Sequence, residues 1–163
     1  MNVNHFANIL RQCAAAGQWE ASFSVLAQMK REAIRPDVAA VGSVLVSCSS
    51  ARPNPQWEAC LKVFQHYQSE VGLKLDSTCY LAVQKACVAS NRHSVALQLH
   101  AVQEKDRVPM LPANIESYID AAEAEHDEEL VLQLVERLPK GYSHPRRMLV
   151  ADADEGKSAE RLQ

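Results

Sequence analysis

Six histidines, five cysteines and a run of carboxylates are the residues of this chain able to do chemistry, and their spacing decides what they can do. His5, His66, His93, His100, His126 and His144 are scattered, with no HExxH or GxSxG arrangement among them and no Gly-rich phosphate loop nearby. That leaves neither a zinc-protease pair, nor a nucleophile elbow, nor a nucleotide cradle. Asp120, Glu123 and Asp127 are close enough on a helix to share a face, and such a set can in principle hold a divalent cation. With no partner in the sequence to orient them, they read as a solvated stripe. Cys60 and Cys79 lack the CxxC spacing of a zinc site. Cys13, Cys48 and Cys87 recur at one place in a repeating pattern, which marks them as small buried apolar residues. An odd set of thiols without a disulfide framework fits a reducing compartment. No catalytic residue, metal, cofactor or small-molecule substrate is expected.

The elements carrying these residues repeat. In Val3–Asp37, Phe6, Ile9, Leu10 and Cys13 recur at helical spacing, and Gly17 breaks the pattern where a left-handed helix end would sit. Trp19, Phe23, Leu26 and Met29 mark a second amphipathic helix, closed by Ile34-Arg35-Pro36-Asp37. The pattern returns three times, over 38–76, 77–111 and 112–138. Val41, Tyr80 and Ile115 take the Phe6 place, Cys48, Cys87 and Ala122 the Cys13 place, and Asn91 the glycine place. Trp57 and His93 stand where Trp19 stands, so His93 reads as a packing substitution. Two apolar faces on one hairpin need neighbours to cover them. The fold expected is therefore all-α, a solenoid of four stacked antiparallel hairpins over 1–138, followed by an extended or mobile tail over 139–163.

Charge divides these repeats. The first three carry net +1, 0 and +2, the fourth −7, within a chain total of −3. Acidic residues from Glu116 to Glu136 repel phosphate, and a polar capping repeat is the expected reading. After Leu138, His144-Pro145-Arg146-Arg147 forms a small basic cluster able to touch phosphate or an acidic protein surface, though a solvated linker is the simpler reading. Residues from Ala151 onward have few large apolar side chains. No apolar run approaches the roughly 20 residues needed to cross a bilayer.

An early Phe or Tyr, Gly-x-Trp at the turn, a late Met and Ile-x-Pro-Asp at the end resemble the pentatricopeptide repeat. Val3–Asp37 matches closely, 38–76 well apart from its insertions and Leu75 in place of proline, 77–111 moderately, and 112–138 as a degenerate copy. The resemblance implies organellar RNA binding, mitochondrial ahead of plastid, with each repeat reading one base through its fifth and last positions. Those positions are Ala7, Gly42, Leu81 and Glu116, and Asp37, Asp76 and Leu111. None of the four fifth-position residues is the Asn, Thr or Ser of base-reading members, so little base-specific readout is expected. Arg11 and Lys85, one turn further along the same face, with Arg92, Arg146 and Arg147, are the candidate RNA contacts. The expected function is a non-catalytic RNA-associated subunit of an organellar ribonucleoprotein, such as a mitochondrial ribosome or RNA-processing complex, with RNA and protein subunits as partners. The alternative is a protein–protein scaffold whose groove takes a partner against Val46, Leu81 and Val88. Met1-Asn2-Val3-Asn4 lacks the character of a presequence.

Overall fold

A computed structural model describes residues 2–147. The described residues fold into α-helical hairpins: α1 Val3–Ala16 with α2 Trp19–Arg31, α3 Val38–Ser49 with α4 Trp57–Gln65, α5 Ser77–Ala89 with α6 His93–Lys105, and α7 Pro112–Ala124 with α8 Glu128–Arg137. A π-helical turn, His66–Glu70, extends α4. The part of the expected tail beyond residue 147 lies outside the described residues.

The first helices of the first three hairpins each start at a polar cap. The side chains of Asn2, Asp37 and Asp76 accept hydrogen bonds from the amides of His5, Ala40 and Cys79 at 3.0, 2.8 and 3.0 Å. These bonds satisfy amides that the helix itself leaves without a partner. In the fourth hairpin Leu111 holds that place and has no oxygen to offer. Asn114 compensates from inside the helix, its Oδ1 accepting the Leu111 amide at 3.0 Å, and Pro112 presets the first turn. The hairpin turns use left-handed residues: Gly17, Asn91 and His126 between the two helices of a pair, with φ of 64°, 55° and 58°. Ala33, Gly72, Arg107 and Gly141 do the same after the second helices. At Gly17 the requirement is double, because a Cβ there would also lie 2.5 Å from the Ser50 carbonyl oxygen of the next hairpin.

The first helices pack in sequence, α1 on α3, α3 on α5 and α5 on α7, while the second helices make no comparable contact with one another. Wedge-shaped grooves lined by Phe23, Leu26, Val63 and Tyr67, and by Leu61, Phe64, Leu99 and Val102, open between α2, α4 and α6. The layer of first helices therefore lies on the inside of the curve. One continuous core runs through it, with Phe6, Leu10, Val41, Leu45, Val83 and Ile119 excluded from solvent and Phe64 edge-on to Tyr80 at 4.8 Å. Met29 is the deeply buried apolar residue of α2, whereas Leu26 is only half-buried at the groove mouth. All five thiols are free and buried. Burial pushes the Cys48 and Cys87 thiols up to about 11, and burial with Asp76 alongside takes Cys79 to about 12.

α7 buries the same seven register positions as α5, from Asn114 to Ala122 against Cys79 to Cys87, whereas α1 at the open end buries three. A helix at the end of a stack should leave one face bare. Residues 139–147 account for part of that cover, since Tyr142 packs against the core. This segment is not the solvated linker its composition suggests. A buried polar network also joins the third and fourth hairpins. Tyr118 donates to Gln103 at 2.7 Å, and Asn114 Nδ2 donates to Gln84 at 2.9 Å and to the Ser77 carbonyl at 3.1 Å. Such bonds lock the register of the two hairpins, because any slip would strand buried amides.

Candidate nucleic-acid interface

The concave surface is built from three rows of side chains at steps of four and three along the first helices. Ala7, Gly42, Leu81 and Glu116 form the first row, all half-buried. Arg11, Val46, Lys85 and Asp120 form the second, all exposed. Ala14, Ser49, Val88 and Glu123 form the third. Across the first three hairpins this face carries two cations, no carboxylate and an uncharged middle. Val46 is an exposed large apolar side chain there. The fourth hairpin contributes three carboxylates in a line.

No side chain in the first row of the first three hairpins can hydrogen-bond a base edge. Asp37 and Asp76 spend their carboxylates as helix caps, and the Thr78 hydroxyl also donates to Asp76 at 2.7 Å. Burial alone would raise the Asp76 carboxyl, but the Thr78 and Cys79 donors outweigh it and hold the group below its ordinary value. Leu111 is exposed and apolar. These last positions thus serve the architecture of the following hairpin.

The basic candidates separate into two groups. Arg11 and Lys85 stand on the concave face, Arg11 bonded to Asn8 on its own helix and Lys85 without an ion pair to a described residue. Arg92 sits at the turn edge, its guanidinium 5.1 Å from the centre of the Trp57 ring, outside the groove. Arg146 is engaged within the chain: its Nε donates to Glu123 at 2.8 Å, and a second nitrogen lies 3.6 Å from Glu128. Arg147 donates to the carbonyls of Leu138 and Pro139 at 2.9 and 2.6 Å, closing the exposed end of α8. Arg146 and Arg147 thus already have acceptors within the chain, and Arg92 an aromatic neighbour.

The acidic row of α7 is met by residues 142–147. Glu116 near the Tyr142 hydroxyl pushes the phenol above its ordinary value. Burial, with Glu123 and Glu116 nearby, raises the Asp120 carboxyl, while His144 and His93 pull the other way. The direct pair between arm and helix is Arg146 with Glu123, while the His144 ring accepts the Arg146 amide at 3.2 Å.

No family model matches this chain, and no curated protein matches it. Among solved structures, the pentatricopeptide-repeat domain of Arabidopsis thaliana protein-only RNase P 1, in complex with tRNA, is similar over 90% of this chain and 95% of that chain, with 11% identity and a TM-score of 0.44.

Proposed function

We propose that this chain is a non-catalytic RNA-associated protein that holds the backbone of a single strand without reading its bases, as a subunit of an organellar ribonucleoprotein, in the mitochondrion ahead of the plastid. The observation that carries the reading is the charge pattern of the concave rows: Arg11 and Lys85 exposed, and no carboxylate along the groove rows of α1, α3 and α5. Phosphate contacts of this kind give affinity and salt dependence without sequence preference. The small or apolar Ala7, Gly42 and Leu81 let bases approach but give them no hydrogen-bonding partner.

Binding of fluorescent single-stranded oligonucleotides at several salt concentrations tests this. Each lost phosphate contact lowers the salt slope by about 0.7. Arg11→Ala with Lys85→Ala is expected to flatten it by about 1.4 and weaken all sequences alike. An unchanged slope sinks the groove assignment. Sedimentation of the native protein from an organelle extract, with and without ribonuclease, tests the assembly. Dispersal by ribonuclease supports the ribonucleoprotein. A large particle untouched by it favours the second reading, a protein scaffold, for which the apolar floor of Val46, Leu81 and Val88 is the specific feature.

A further inference from the structure

We propose that the concave face of the fourth hairpin is a peptide-binding surface occupied in cis by residues 142–147, so that the path available to RNA ends at α5. This rests in part on the RNA reading, but the occupancy of the face stands on its own. The face is acidic through Glu116, Asp120 and Glu123. The occupant runs without regular structure over 142–144 and enters a helical turn at 145–147, where the His144 ring accepts the Arg146 amide at 3.2 Å and the Arg146 guanidinium reaches the acidic face. The contacts are specific ones: Arg146 bonds Glu123 at 2.8 Å and reaches Glu128 at 3.6 Å, while Tyr142 packs against the core.

Two features hold the arm in place. Gly141, with φ of 85°, turns the chain after α8 in the left-handed manner of Ala33, Gly72 and Arg107, and so aims it back along α7. Arg147 then ties the arm to the C-terminal carbonyls of α8. The segment leaves the α8 turn as the other repeats leave theirs, but it lies across the groove row. Glu116 stands in the register of the base-reading position, and the arm packs beside this hairpin through Tyr142 and Arg146. A nucleotide at this repeat would have to displace the arm and face the uncovered carboxylates, a doubly unfavourable exchange.

Chymotrypsin nicking at Tyr142–Ser143, followed by intact-mass spectrometry on the whole chain, reads the arm without RNA. Arg146→Glu and Glu123→Arg, each alone, are expected to speed that cut roughly fivefold or more by turning attraction into repulsion. The charge-swapped pair restores slow cleavage. Equal rates in all four proteins overturn the cis occupancy. Photo-crosslinking of a uridine-rich oligonucleotide reads the path: adducts on α1, α3 and α5 are expected, and wild-type adducts on α7 overturn its end at α5. A protein that binds no oligonucleotide defeats the RNA reading and the path with it, while the nicking result still decides the occupancy.

Discussion

The second and fourth hairpins carry their first helices in the same register yet present opposite groove faces. α3 shows Gly42, Val46 and Ser49, uncharged; α7 shows Glu116, Asp120 and Glu123, acidic and met at Glu123 by Arg146 of the chain's own arm. Behind these rows the two helices are nearly interchangeable, with Val41, Leu45 and Cys48 matching Ile115, Ile119 and Ala122 in full burial. The buried row answers to neighbouring hairpins, which hardly vary along a solenoid. The groove row answers only to what lies in the groove. The two rows therefore diverge independently, and the sharpest way to break the comparison is to move one charge between them.

Leu45 is fully buried and Val46, its neighbour in sequence, is 36% exposed. Leu45→Asp places an unpaired carboxylate among Val41, Val44 and Cys48, and is expected to cost roughly 4 kcal/mol or to prevent folding altogether. Val46→Asp puts the same carboxylate in water and should stay within about 0.5 kcal/mol of the parent. Urea unfolding followed by circular dichroism measures both. Comparable losses in the two variants would mean that the groove is not open at α3.

A second contrast separates conformational strain from collision. Gly17 and Gly141 are both left-handed, but a Cβ at 17 meets the Ser50 carbonyl oxygen at 2.5 Å while one at 141 meets nothing within 4 Å. Gly141→Ala should cost about 1 kcal/mol, the strain of the backbone alone. Gly17→Ala adds a clash with the backbone of the next hairpin and should cost about 3 kcal/mol. If thermal melts show the two variants equally affected, the first and second hairpins are not packed as closely as the Gly17–Ser50 approach requires.

Turns were legible because they rest on local chemistry: Gly17 and Asn91 tolerate the left-handed backbone wherever they occur. Asp37 and Asp76, read as the ends of repeats, prove to cap the helices that follow them. The concave position of Arg11 and Lys85 follows from the same periodicity. What sequence reading missed depends on residues far apart in the chain. Gln84, Gln103 and Asn114 look like ordinary polar residues until the third and fourth hairpins bury them against one another. Arg146 looks like a solvated cation until Glu123, 23 residues earlier, is brought beneath it. Arg92 likewise belongs to Trp57 only because two turn edges are adjacent in space. In each case the periodic pattern places a residue on a face but does not name the neighbour it meets there.

The smallest effect concerns the caps, where the third and fourth hairpins solve one problem differently. Asp76 accepts from Cys79 and Thr78 on α5, while Leu111 at the same place leaves the work to Asn114. Asp76→Ala is expected to cost about 1 kcal/mol at neutral pH, and Leu111→Asp to gain about half that by supplying the missing acceptor. The pH dependence fixes the cause. The Asp76 carboxyl is held below its ordinary value in the folded chain, so the unfolded chain takes up its proton first as pH falls. The charged part of the cap is then fully present above the ordinary carboxylate range and is lost as pH drops through the folded value. The gap between parent and Asp76→Ala should accordingly narrow in acid, whereas Asp76→Asn, a cap without a titrating charge, should hold its offset from Asp76→Ala throughout. A gap between parent and Asp76→Ala that stays constant from neutral pH to pH about 2 would assign the cap to geometry alone and remove the charge from the account.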